Sequence, residues 1–318
     1  MVSWGATAMA AKMERLAGRC TRRLLLATVL TAMTACSDLL GIPSDPTLVA
    51  TGPWRCLNQT PAVAPTALSP QATVRVQACN FITNCTTNVT GLTAKLCDKR
   101  DVGCNSPRLT GIADSNGEFR FQVPTAGGGF DGYLLIDSQV ASCTDPEAFG
   151  SVAGKVLCDL VAPTCDLGAP DARCYLKMYA PSMLFFNPPI AADVTEPIPL
   201  QLFPTSGLPA VIGAAGIHVD PAGGNLLIQA LDCNGKPAAG VTYRISQYGS
   251  QVSPLYVSNG IVSESVTQTD ASGVGGFVGI PPGFISVTGY NSDAVAIGEI
   301  GVQTAASVLT YSALLPAH

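Results

Sequence analysis

The chain has 318 residues, 47% of them hydrophobic and only 12% charged, with 32 Gly, 24 Pro, 12 Cys and a formal net charge of −5. Setting residues 1–35 aside removes five basic residues and one acidic one, leaving 12 Lys plus Arg against 21 Asp plus Glu, a net −9 without a basic cluster. Nucleic acid is thereby excluded as a partner, because binding it needs a cationic face, and the plentiful Gly and Pro describe an exported β protein with many turns.

Residues 1–35 read as a targeting segment. Arg15, Arg19, Arg22 and Arg23 form a basic flank, and residues 24–35 are an uncharged run. Such a run is too short to cross ~30 Å of hydrocarbon as a stable helix, so a removable signal peptide is expected. Ala32, Met33, Thr34 and Ala35 before Cys36 resemble a lipobox, with Met33 standing where Leu is usual. Lipidation of Cys36 would anchor the chain firmly, since each buried methylene contributes roughly 0.8 kcal/mol. Ordinary signal cleavage after Ala35 is the alternative. Ser37, in place of an Asp, favours an outer-membrane address, with the protein periplasmic or at the cell surface.

An internal repeat follows. Val76, Gln77 and Ala78 precede Cys79, then come Gly91 and Leu92, then Asp114 and Gly117, then a strand ending at Pro124. In the second half Ile228, Gln229 and Ala230 precede Cys233, then Gly240 and Val241, then Asp270 and Gly273, then Pro281. Phe119, Phe121 and Val123 alternate with Arg120 and Gln122, the period of a strand with one buried face. Asp114 and Asp270 each stand three residues before a Gly, the chemistry of a turn in which a carboxylate takes backbone amides and Gly supplies positive φ. The second copy has one residue more between Asp and Pro, and a bulge is expected there, marked by Gly275 and Gly276. Residues 175–186 supply further apolar strand, ended by Asn187, Pro188 and Pro189. A short helix is expected over residues 208–215, begun near Ser206.

The turn with Asn234, Gly235 and Pro237 before Gly240 and Val241, then Thr269, Asp270 and Gly273, then Pro281, Pro282 and Gly283, resembles the carboxypeptidase regulatory-like domain. The resemblance covers residues 224–315, and more loosely 71–140. It implies a transthyretin-like β-sandwich of about seven strands used as an accessory module, with no catalytic residues. The whole chain is similar to bacterial cysteine-rich lipoproteins that carry such domains. The expected architecture is all-β: two transthyretin-like or Ig-like sandwiches in tandem, stabilised by disulfides. The expected division is a signal peptide at 1–35, a linker at 36–70, a first sandwich with a cysteine-rich insertion at 71–190, a connector at 191–223, and a second sandwich at 224–318.

With Cys20 lost and Cys36 lipidated, ten cysteines remain: Cys56, Cys79, Cys85, Cys97, Cys104, Cys143, Cys158, Cys165, Cys174 and Cys233. None forms a C-x-x-C pair, so a disulfide framework is expected in place of a zinc or redox site. Only Cys233 lies in the second repeat. If every thiol pairs, one bridge joins the halves; otherwise Cys233 and one other stay free.

Chemical motifs are sparse. His218 stands near Asp220, but a loop histidine beside a turn aspartate is the commoner arrangement. No G-x-S-x-G elbow, H-E-x-x-H pair or phosphate loop occurs. The segment from Asp114 to Glu118 begins like a calcium loop but places Gly at its fourth position, so a turn is expected and no metal. No cofactor is expected either. A non-enzymatic envelope lipoprotein follows, a structural or interaction module whose partners are the membrane, through its anchor, and an unknown protein or glycan of the envelope. The alternative is a carbohydrate-binding accessory protein, for which Trp54, Tyr243, Tyr248, Tyr256 and Tyr290 are the stacking candidates.

Overall fold

The computed structural model describes residues 52–57, 69–81, 83, 85–125, 128–137, 139–142, 164–165, 174–177, 179–247, 251–263 and 265–317, with side chains described outside 138–178. The targeting segment, Cys36, Cys143, Cys158 and Tyr248 lie outside the described residues. A 3-10 turn at Gly52–Trp54 precedes the first half, whose strands are β1 (Gln71–Asn80), β2 (Thr93–Asp98), β3 (Leu109–Ile112), β4 (Glu118–Pro124) and β5 (Gly132–Asp137). Three short strands, β6 (Gln139–Ser142), β7 (Thr164–Cys165) and β8 (Cys174–Lys177), pair among themselves before β9 (Ser182–Phe185). Next come β10 (Ile198–Leu202) and helix α1 (Gly207–Ala214). The second half holds β11 (Gly224–Ala230), β12 (Thr242–Ile245), β13 (Ser253–Ser258), β14 (Ile261–Ser263), β15 (Val274–Ile280), β16 (Gly283–Tyr290), β17 (Ala296–Thr304) and β18 (Leu309–Leu314).

The chain is all-β, with two Ig-like sandwiches in tandem. In the first, the sheet β10-β1-β4 faces β9-β5-β2-β3. Ala72, Val74, Val76 and Ala78 alternate inward on β1 and meet Phe119, Phe121 and Val123 of β4, with Val76 opposite Phe119 and Val74 opposite Phe121. Leu96, Leu134, Ile136 and Leu184 close this core from the facing sheet. The alternation of β4 is thus the one its sequence requires. In the second sandwich β18-β11-β15-β13-β14 faces β12-β16-β17, around Ile228, Phe277, Ile285, Val287, Ile300 and Val302.

The two sandwiches share a sheet. β18 runs parallel to β9, with Leu309 opposite Ser182 and Tyr311 opposite Leu184, and this pairing welds nine strands into one sheet. β9 is buried on both faces: Leu184 enters the first core, while Met183 and Phe185 enter the second. That explains why residues 183–186 form an unbroken apolar run instead of an alternating one. Helix α1 covers the other face of the second half, where Leu208 and Ile212, four residues apart on one side, pack with Leu255, Val278 and Leu309. From within the expected connector, β10 pairs parallel with β1.

The bulge in the second half differs in position from the expectation. β15 keeps regular register through Gly275 and Gly276, and the shift falls between the pairs Leu226 with Phe277 and Gly224 with Ile280, at Gly279 with φ +71°. Gly275 and Gly276 serve close approach instead: a Cβ on Gly275 would lie 2.6 Å from the Tyr256 ring and 2.9 Å from the Tyr243 ring. Glycine there makes a shelf for two stacked tyrosines, not a kink.

Candidate functional site

The repeated motif builds the same hydrogen-bonded frame twice. In the first copy the Gly117 amide donates to Asp114 O (2.9 Å) and the Ala78 amide to Gly117 O (2.9 Å); in the second the Gly273 amide donates to Asp270 O (2.9 Å) and the Ala230 amide to Gly273 O (2.8 Å). Gln77 Nε2 donates to Asn116 O and Gln229 Nε2 to Ser272 O, both at 3.3 Å. Asp114 Oδ1 takes the amides of Asn116 and Glu118, and Asp270 Oδ1 that of Ser272. Gly117 and Gly273 have φ of +72° and +69°. The four residues marked as structural turns in the sequence therefore form equivalent turns, each hung from the last residues of β1 or β11. Bonds from the Ser272 hydroxyl and backbone amides hold the Asp270 carboxyl below the usual carboxylate range. The carboxylate that resembled the start of a calcium loop is spent on amides.

Three disulfides are described. Cys79 bonds Cys85 and Cys97 bonds Cys104, each closing a short loop of the first sandwich. Cys56 bonds Cys233, with Cα atoms 5.6 Å apart. Around this bridge the Cys233 amide donates to Pro53 O (3.0 Å) and Arg55 donates to Asn234 Oδ1 (3.1 Å). Trp54, 8% exposed, and Leu57 enter the core of the second sandwich. The short segment before β1 is thus docked on the far half of the chain. Cys165 and Cys174 lie opposite each other in the backbone register of β7 and β8.

The donor atoms of Cys97, Asp101 and Cys104 converge, the one such group of metal-ligating type among the described residues. Its chemistry is already used: the thiols form a disulfide, and the Asp101 carboxylate takes the Asn105 and Ser106 amides at 3.0 and 2.8 Å. Tyr133 seals the ring from below, its hydroxyl donating to Asp101 O, and burial pushes that hydroxyl's pKa up to about 12. His218 is exposed, and Asp220 Oδ1 caps a turn by accepting the Ala222 amide at 2.8 Å. Tyr243 and Tyr256 stack at 6.0 Å in the second core, where burial raises the Tyr243 pKa. Half-buried Tyr290 has the Arg244 guanidinium 4.7 Å above its ring centre. The ring faces proposed for sugar stacking at these positions and at Trp54 are therefore packed against protein.

Sequence reasoning missed one charged cluster. Glu118, 8% exposed, receives Arg75 through two bonds (2.6 and 3.0 Å) and Arg120 at 2.8 Å, and Arg75 also donates to Thr195 O, tying β1 and β4 to the chain before β10. The available signal was the parity of β1 and β4: Arg75 and Arg120 occupy the outward positions of two strands whose inward positions are apolar. Hydrogen bonding from Arg75 is the largest cause holding the Glu118 carboxyl below the usual range. A group with a depressed folded pKa contributes stability above its unfolded value, and that contribution disappears as pH falls through the folded value. Glu118→Gln is expected to lower the urea midpoint at about pH 7 and to match the parent at about pH 3, which paired urea titrations read directly.

A shallow apolar groove of about 280 Å³ lies beside the cis Asn187–Pro188 bond, lined by Leu184, Phe186, Pro189, Ile198 and Ala313 among others. It is smaller than the ~300–1,000 Å³ usual for a ligand pocket, and the Asn187 amide at its rim is already bonded to Ala313 O. No helix among the described residues is long and apolar enough to cross a membrane.

No family model matches the chain, and no curated protein matches it. Solved structures that are similar include the shaft pilin SpaA of Lactobacillus rhamnosus GG, with 12% identity over 78% of this chain and 98% of that one at a TM-score of 0.22. The minor pilin of Streptococcus agalactiae aligns at 13% identity over 79% of this chain and 98% of its own, with a TM-score of 0.19. The Bacillus anthracis TIE protein aligns at 10% identity and a TM-score of 0.21 over 78% of this chain but 34% of its own, so this chain spans about a third of it. Superposition this poor transfers none of these proteins' roles.

Proposed function

We propose that this chain is a non-enzymatic lipoprotein of the cell envelope, held at the outer membrane through Cys36, whose paired sandwiches act as a structural or interaction module. The observation that supports it is how the chemically capable side chains are used. Asp114, Asp220 and Asp270 cap turns, Cys56, Cys97 and Cys104 cross-link the chain, and Tyr243 and Tyr256 fill a core. The duplicated Asp and Gly frame supports two carboxypeptidase regulatory-like modules at 71–190 and 224–318, joined by 191–223. Such modules position partners and perform no chemistry of their own. Cys36→Ser is expected to abolish acyl labelling and to release the protein from the membrane fraction. A variant that remains membrane-bound and unlabelled would place the anchor elsewhere.

A further inference from the structure

The nine-stranded sheet ends at β3 on one side and β14 on the other. We propose that β3 is a self-association edge, on which a second copy of this chain adds its own β3 antiparallel about Gly111.

Three observations converge on that register. The first is backbone polarity. β2 and β3 are antiparallel with Thr93 opposite Ile112, and the Ala113 amide donates to Leu92 O at 2.9 Å. Bonded and unbonded pairs alternate in such a ladder, so Leu109 and Gly111 turn their N–H and C=O toward β2, and Thr110 and Ile112 turn theirs to the open side. The second is side-chain chemistry. The strand reads Leu, Thr, Gly, Ile, without a charge or a proline to blunt it, and Ile112 is 68% exposed. The third is charge. When Thr110 lies opposite the second copy's Ile112, the outward N–H and C=O groups exchange two bonds and then two more by symmetry. The same register sets Arg108 opposite the second copy's Asp114, twice. Both residues are exposed, and Arg108 meets Asp98 of its own chain through Nε at 2.7 Å. This self-complementarity identifies the occupant: a patch whose charges match their own copy under a twofold axis is the mark of an isologous dimer. A foreign strand would have no reason to reproduce it. At the other edge, Ile261 is 70% exposed, but a twofold through Val262 brings Asn259 opposite Ser265, with no charges to match.

Sedimentation equilibrium of the full chain in neutral detergent over the micromolar range tests this. The parent is expected to run as a concentration-dependent dimer. Ile112→Lys puts a charge on the exposed edge and is expected to raise the dimer dissociation constant by about ten-fold or more. Thr110→Pro removes an N–H that β2 does not use and is expected to do the same through a different group. Ile261→Lys is expected to leave the equilibrium unchanged. A parent that is monomeric throughout overturns the proposal. So does a dimer equally tight in Ile112→Lys and Thr110→Pro, and so does dissociation by Ile261→Lys, which would move the contact to the opposite edge.

Discussion

Gly273→Ala is expected to destabilise the protein by about 2–5 kcal/mol, against about 1–2 kcal/mol for Gly235→Ala, although both glycines sit in turns with nearly the same backbone. Their φ values are +69° and +71°, so each substitution incurs the left-handed strain of an L residue. Their surroundings differ. A Cβ on Gly235 meets nothing within 4 Å, whereas on Gly273 it would lie 2.5 Å from Ala230 O and 2.9 Å from Ala238 N. Those atoms are bonded to each other, the Ala238 amide donating to Ala230 O at 2.9 Å, so neither can retreat without breaking the frame. The equivalent Gly117→Ala, with Ala78 O at 2.8 Å and Val89 O at 2.9 Å, is expected to behave like Gly273→Ala. Urea unfolding of the three variants reads the difference. Equal costs for Gly235 and Gly273 would show that backbone strain alone holds these turns.

The second large effect belongs to the bridge between Cys56 and Cys233. Its partners are 177 residues apart, against seven for Cys97 and Cys104. In the chain-entropy account, closing the long loop contributes ~5 kcal/mol and the short one ~2.5 kcal/mol. Against a typical total of about 5–15 kcal/mol, loss of the long bridge is severe. The paired substitution Cys56→Ser with Cys233→Ser is expected to cost about 3–5 kcal/mol, and Cys97→Ser with Cys104→Ser about 2 kcal/mol. A local readout accompanies the global one. Trp54, adjacent to the bridge and buried in the second core, is expected to shift its emission to the red on selective loss of Cys56–Cys233. Emission that stays unchanged would mean that Trp54 and Leu57 hold the segment down without the covalent bond.

Strands whose two faces differ are legible in the amino-acid pattern alone. Phe119, Phe121 and Val123 alternate with polar neighbours, and their burial follows. The turns are legible for the same reason: a carboxylate and a glycine three residues apart make their bonds within the segment, whatever surrounds it. The bulge falls away from its expected place because Gly275 and Gly276 answer to Tyr243 and Tyr256, which are distant in the chain. The partners of Glu118 escape a reading of the pattern because Arg75 reaches it only across a strand pair.

What the amino-acid sequence determined by itself is therefore local and periodic: all-β character, a repeated unit, the turn residues, and a cysteine left over in the second half. Only the tertiary structure decided that Cys56 closes on Cys233, that β18 lies beside β9, and that the nine-stranded sheet ends in an open β3. The physical reason is the same in each case. A thiol, a strand doubly buried like β9, and a free edge each specify the kind of neighbour they need but not which one, and the choice among neighbours is made by the packing of both cores at once.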